Sequence, residues 1–118
     1  MKKVYHLKTC STCNRILKDL NLSAEYILQD IKSEPITVKQ VENMKALAGS
    51  YEALFSKRSK LYKEMGLKNQ DLTERDYKYY ILEHYTFLSR PVIVSDDQIF
   101  IGNSKKVIQA AKDMLSIQ

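Results

Sequence analysis

The sequence predicts an α/β fold built on a mixed sheet, and three observations carry that prediction. Runs rich in β-forming residues stand at both ends of the chain, at residues 3–7 and 25–30 and again at 91–94 and 98–101. Segments with apolar residues at helical spacing separate or follow them. The two connections differ in kind: a helix joins the first pair of runs, which must then be parallel. Only Asp96-Asp97 and their neighbours join the second pair, which must fold back as an antiparallel hairpin.

Taken in order, residues 3–7 form a first strand, and Thr9-Cys10-Ser11-Thr12-Cys13-Asn14 forms a loop and the start of a helix. That helix carries Ile16, Leu17 and Leu20 on one face and ends near Asn21. Glu25 to Asp30 is mostly apolar and reads as a second strand buried on much of its surface. Strand, helix and strand within 30 residues make a right-handed βαβ unit, which brings the cysteine loop to the C-terminal edge of the sheet. Ser33-Glu34-Pro35-Ile36 interrupts the pattern. Thr37-Val38-Lys39-Gln40 is a capping box opening a helix with Val41, Met44, Leu47 and Ala48 inward and Gly49 at its close. Short helical patterns follow from Tyr51 to Met65, closed by Gly66, and Thr73 caps another helix with Tyr77, Tyr80, Ile81 and His84 in register. The helical insert therefore spans about residues 37–86. After the hairpin, Gly102-Asn103-Ser104 turns into a last helix carrying Val107, Ile108, Ala111 and Leu115.

A chain of 118 residues suits one domain, 1–118, with a single core. Nothing apolar approaches the roughly 20 residues that cross a bilayer, so no membrane partner is expected. Met1-Lys2-Lys3 lacks the apolar stretch and cleavage site of a signal peptide, which makes a cytoplasmic location the expectation. The net charge of +5 comes from lysines spread along the chain. It implies a solvated basic surface, and no direct nucleic-acid binding is expected. The basic run Lys57-Arg58-Ser59-Lys60 reads first as a solvated helix face and second as a dock for a thiolate donor or an acidic protein. The eight tyrosines, at helical spacing, read as core and interface residues.

The two cysteines, Cys10 and Cys13, are the chemistry-bearing pair. A C-x-x-C closes too short a loop to staple a fold, so its uses are a redox dithiol, half of a zinc site, or two buried thiols; the redox reading ranks first. Zinc needs four ligands, and His6 and His84 have no finger-like spacing, so no metal is expected; His6 reads as a packed or surface histidine. Cys10 at a helix start faces unpaired N–H groups and the positive end of the dipole, which stabilise its thiolate against a free pKa of roughly 8.5. Cys13, one turn further in, is placed to resolve a mixed disulfide. Lys8, Arg15 and Arg90 are the candidate cations near them.

The order βαβ, helices, ββα, with C-x-x-C after the first strand and Arg90-Pro91 entering the third, is that of a thioredoxin-like fold with a helical insertion. In that fold the Arg90-Pro91 bond is cis and lies across from Cys10. With these residues in view, the chain resembles the arsenate reductase (ArsC) family, which includes the Spx regulators. The resemblance runs through Tyr5-His6 to Cys13, Ser33-Glu34-Pro35, Ala53-Leu54-Phe55 to Tyr62, Gly66-Leu67, Leu88 to Val94 and Ile101-Gly102. It implies a nucleophilic Cys10, a resolving Cys13 and an oxyanion-facing Arg90, with Ser11, Thr12, Arg58 and Pro91 as substrate-binding residues. It also implies no bound cofactor and a reduced thiol donor, glutathione with glutaredoxin or thioredoxin, as co-substrate. Arsenate reductases of this type use three arginines; Ser56 stands at the second position, with Arg58 two residues on, and the third falls near Gly102. The expected activity is thiol-dependent reduction of a disulfide, arsenate or another oxidised substrate. The alternative is a redox-sensing transcriptional regulator that binds the RNA polymerase α subunit. Those regulators carry a longer tail than follows the last helix here, which ranks the reductase first.

Overall fold

The computed structural model describes residues 1–117. Four strands form one mixed sheet: β1 (Lys2–His6), β2 (Ile27–Asp30), β3 (Val92–Ser95) and β4 (Gln98–Ile101), in the order β2-β1-β3-β4. β1 runs parallel to β2 and antiparallel to β3, and β3 and β4 make the expected hairpin. Its turn is eased by Asp96 in the left-handed region, φ 57°, a conformation to which aspartate is better suited than most side chains. The described residues also form five α-helices, α1 (Ser11–Leu20), α2 (Val38–Ala48), α3 (Lys60–Glu64), α4 (Glu74–Glu83) and α5 (Lys105–Ser116), with short 3-10 turns between α2 and β3. This is the thioredoxin-like arrangement with a helical insertion. Among the described residues no helix is long and apolar enough to cross a membrane.

The chain separates into two compact units, one of residues 1–34 with the chain from Arg90 onward, the other Pro35–Ser89. In the first, the period-2 alternation of the strands sets Val4 and Ile93 opposite each other in register, and both point into one core. There they meet Ile16 and Leu20 of α1, Tyr26, and Ala111 of α5, with Ile108 and Leu115 packed alongside. The helical periodicity of α1 thus has a direct cause, since Cys13, Ile16 and Leu20 are its buried stripe. Asn21 stops it in a left-handed cap, φ 49°, where its N–H reaches the carbonyls of Leu17 and Lys18.

β2 is an edge strand, and its residues are not buried on much of their surface: Ile27 and Leu28 are 62% and 55% exposed, while Gln29 is the buried residue of the strand. The apolar run that suggested a covered strand belongs to a strand with a neighbour on one side only. Gln29 tolerates burial because its side-chain amide donates to the Glu34 carbonyl at 2.9 Å.

The second unit is organised on aromatic packing. Phe55 stacks on Phe87 with centroids 5.3 Å apart and meets Tyr62 and Tyr77 at 5.8 and 4.9 Å. An isolated bridge joins Phe55 to Leu88, where Ser56 N–H donates to Phe87 O and Ser89 N–H to Leu54 O. Both capping boxes form, Thr37 with Gln40 and Thr73 with Asp76, as their spacing requires. The tyrosines divide: Tyr62 and Tyr77 are core, whereas Tyr79 is 57% exposed.

Candidate active site

The first unit carries the cysteine loop at the C-terminal end of β1. Cys10 is the N-cap of α1, with extended backbone, and its sulfur accepts the Cys13 N–H at 3.5 Å. A sulfur at an N-cap does what an Asp or Ser oxygen usually does there: it receives an orphan donor of the first turn, and a thiolate receives it better than a thiol. The loop is braced from both sides. Cys10 N–H donates to Leu7 O at 2.9 Å, Asn14 Nδ2 donates to Lys8 O at 2.9 Å, and Lys8 N–H donates to the Asp30 carboxylate at 3.0 Å. Asn14 and Asp30 are bracing residues that the sequence did not single out. The signal available was a polar side chain facing the loop from each element that flanks it. Asp30 is held ready for this bond by Ser33, whose hydroxyl donates to it at 2.9 Å, and these contacts keep its carboxyl below the usual range.

The two thiols are unequal. Cys13 is buried, Cys10 is half-buried, and neither is in a disulfide. Burial opposes ionisation of Cys10, but the Cys13 backbone N–H, the Cys13 thiol, the Thr12 N–H and the Arg90 charge together outweigh it. The Cys10 thiol is therefore held below its ordinary value. Burial, followed by the hydrogen bond it gives to Cys10, pushes the Cys13 thiol up to about 11. The Cys10 charge adds to this, while the Leu7 backbone and Arg90 pull the other way. The two titrations are linked, because whichever sulfur ionises first takes the hydrogen bond and opposes ionisation of the other.

Arg90 precedes a cis peptide bond to Pro91, which is buried just ahead of β3 and whose carbonyl accepts Gly102 N–H at 2.9 Å. Cys10, Ser11, Thr12, Cys13, Arg90 and Pro91 thus belong to one unit, with the Arg90 charge acting on both thiols. Arg58 belongs to the second unit, where it is exposed. Its neighbours are fixed: Lys57 pairs with Glu52 at 2.8 Å and Ser59 caps α3. Of the histidines, His6 is packed, 8% exposed, and burial lowers its pKa against an opposing pull from Asp30. His84 accepts Thr86 N–H on Nδ1. Among the described residues no three His, Cys, Asp or Glu side chains gather to hold a metal ion.

The Arg90 influence has a sign that can be measured. A nearby cation favours the thiolate, so Arg90→Gln is expected to move the pH midpoint of Cys10 alkylation upward. At any pH below that midpoint iodoacetamide should react more slowly with the variant than with the wild type. An unmoved midpoint in the pH–rate profile of Arg90→Gln contradicts the assignment.

The sequence profile of the ArsC family matches residues 5–111. The chain is 25% identical over 109 residues to the global transcriptional regulator Spx 2 of Bacillus cereus, covering 90% of this chain and 82% of that protein. It is 26% identical over 112 residues to an arsenate reductase of Neisseria meningitidis, covering 92% and 95%. Among solved structures, one described as an ArsC family related protein from Bacteroides fragilis has the same fold, with a TM-score of 0.76 at 21% identity over 93% of this chain and 96% of that one.

Proposed function

The chain belongs to the ArsC family, and from that premise we propose that it is a thiol-dependent reductase using Cys10 and Cys13 as a dithiol. The observation that carries this reading is the inequality of the two sulfurs, one half-buried with a lowered pKa, the other buried with its pKa raised to about 11. In the first step the Cys10 thiolate attacks one sulfur of a substrate disulfide. A Cys10–substrate disulfide forms and the other substrate sulfur leaves as a thiolate. Cys10 then no longer carries the charge or accepts the hydrogen bond that raised Cys13, so Cys13 gives up its proton more readily. It attacks Cys10 Sγ, forming the Cys10–Cys13 disulfide and releasing the second substrate thiolate, and the leaving thiolates take up protons. Two electrons have passed from the protein to the substrate. A reduced thiol donor, glutathione with glutaredoxin or thioredoxin, returns them, and such donors are abundant in the cytoplasm, where we place the protein.

Ser11 and Thr12 supply the donors of the helix start to the incoming group, with Arg90 as its cation and Pro91 as the backbone beside it. Arsenate is the weaker candidate substrate. Arg90 precedes the proline, but Ser56 stands where a second guanidinium group is expected, with Arg58 offset by two positions, and the third position falls near Gly102. Losing bidentate donors costs oxyanion affinity heavily. Consumption of NADPH through a thioredoxin or glutaredoxin system is expected with a small disulfide substrate and to be far slower with arsenate. The similarity to Spx 2 of Bacillus cereus favours a second reading, a redox-sensing regulator. No turnover on any disulfide or oxyanion, together with recovery of the RNA polymerase α subunit in a pull-down, would overturn the reductase in its favour.

A further inference from the structure

The exposed side of α1 continues the cysteine loop as a basic ridge. Ser11, Arg15 and Lys18 are all exposed and follow one another at i, i+4 and i+7, so they share one helix face. The stripe begins at the residue next to Cys10 and runs about 10 Å along the axis at roughly 1.5 Å per residue. Arg15 and Lys18 line a surface hollow with Asp19 and with Ile16 and Ile108 as its apolar wall. The one carboxylate there is already neutralised, since Asp19 pairs with Lys112 at 2.8 Å. Ion pairs at other places take up Lys2, Lys57, Lys60 and Lys78, and among the described residues none engages Arg15 or Lys18. The result is a cationic face with an apolar wall, on the helix that Cys10 caps.

We infer that this face is the docking surface for the thiol carrier protein that reduces the Cys10–Cys13 disulfide, and that the carrier presents an acidic surface around its reactive cysteine. The inference rests on the reductase reading and adds the partner's chemistry and its footprint. Charge complementarity identifies the occupant: exposed cations on the helix that starts beside Cys10 raise the encounter rate of an acidic partner and orient it. A ridge about 10 Å long suits a protein surface better than a small thiol, which needs no contact beyond the loop itself.

The test measures the rate constant for reduction of the oxidised protein by a reduced thioredoxin or glutaredoxin of net negative charge, whichever reduces the wild type faster. Dithiothreitol, an uncharged dithiol, is run in parallel. The double variant Arg15→Glu, Lys18→Glu is expected to lose on the order of tenfold in rate with the carrier at low salt. Most of that gap should close at high salt, because screening removes the effect of exposed charges. Arg15→Gln, Lys18→Gln should fall between, which guards against a folding defect in the reversed variant. Rates with dithiothreitol should stay within about twofold for all three proteins. Equal carrier rates, a carrier effect insensitive to salt, or an equal loss with dithiothreitol would overturn the docking surface alone. A protein that forms no dithiothreitol-reducible Cys10–Cys13 disulfide would overturn the reductase reading and this inference with it.

Discussion

Cys10→Ser is expected to abolish reduction of a disulfide substrate, a loss on the order of a thousandfold or more, because a serine hydroxyl is essentially un-ionised and cannot replace sulfur as the attacking atom in thiol–disulfide exchange. The fold should not suffer. Cys10 sits at an N-cap, half-buried, and serine is a favoured N-cap residue. Cys13→Ser behaves differently. The Cys10 thiolate can still attack, but no second sulfur follows, so a Cys10–substrate mixed disulfide should accumulate, visible as a mass increase of the intact protein. Cys13→Ala removes that thiol altogether, one of the groups that lower the Cys10 pKa, so in that variant the alkylation midpoint of Cys10 should rise. If Cys13→Ser kept its full rate with glutathione present, the dithiol route would give way to a single-cysteine one.

The largest expected effect on stability lies at Phe55. Its ring is 5% exposed and touches Phe87, Tyr62 and Tyr77, so Phe55→Ala removes the common member of three aromatic contacts. Truncation of a buried phenylalanine typically costs about 3–5 kcal/mol. For a chain of this size that corresponds to a melting temperature lower by on the order of 10–20 °C in a circular-dichroism melt. Tyr79→Ala is the matched control: Tyr79 is 57% exposed, and its loss should cost no more than about 0.5 kcal/mol. Equal melting temperatures for the two variants would mean that the aromatic cluster does not hold the second unit together.

Much of this molecule is written locally in its chain. The capping boxes at Thr37 and Thr73, the left-handed stop at Asn21 and the hairpin at Asp96-Asp97 depend on residues within four positions of one another, and each forms as its sequence requires. The same locality places Cys10 at the start of α1, since a strand, a loop and an amphipathic helix follow one another there without a break. Bracing by Asn14 and Asp30 was less legible, because a polar residue near a loop has many alternative partners.

Other properties depend on which distant segments become neighbours in the packed fold. Ile27 and Leu28 are as apolar as the residues of a central strand, yet they are exposed, because strand order puts β2 at the edge and no sequence-local signal encodes that order. The difference between the two cysteines is of the same kind. Spacing sets Cys13 one turn inside the helix, but its burial and the reach of the Arg90 charge, 77 residues further along, depend on the packed fold. Desolvation and Coulomb interactions act through space, so the chain alone names the two sulfurs while the fold makes one more acidic than the other.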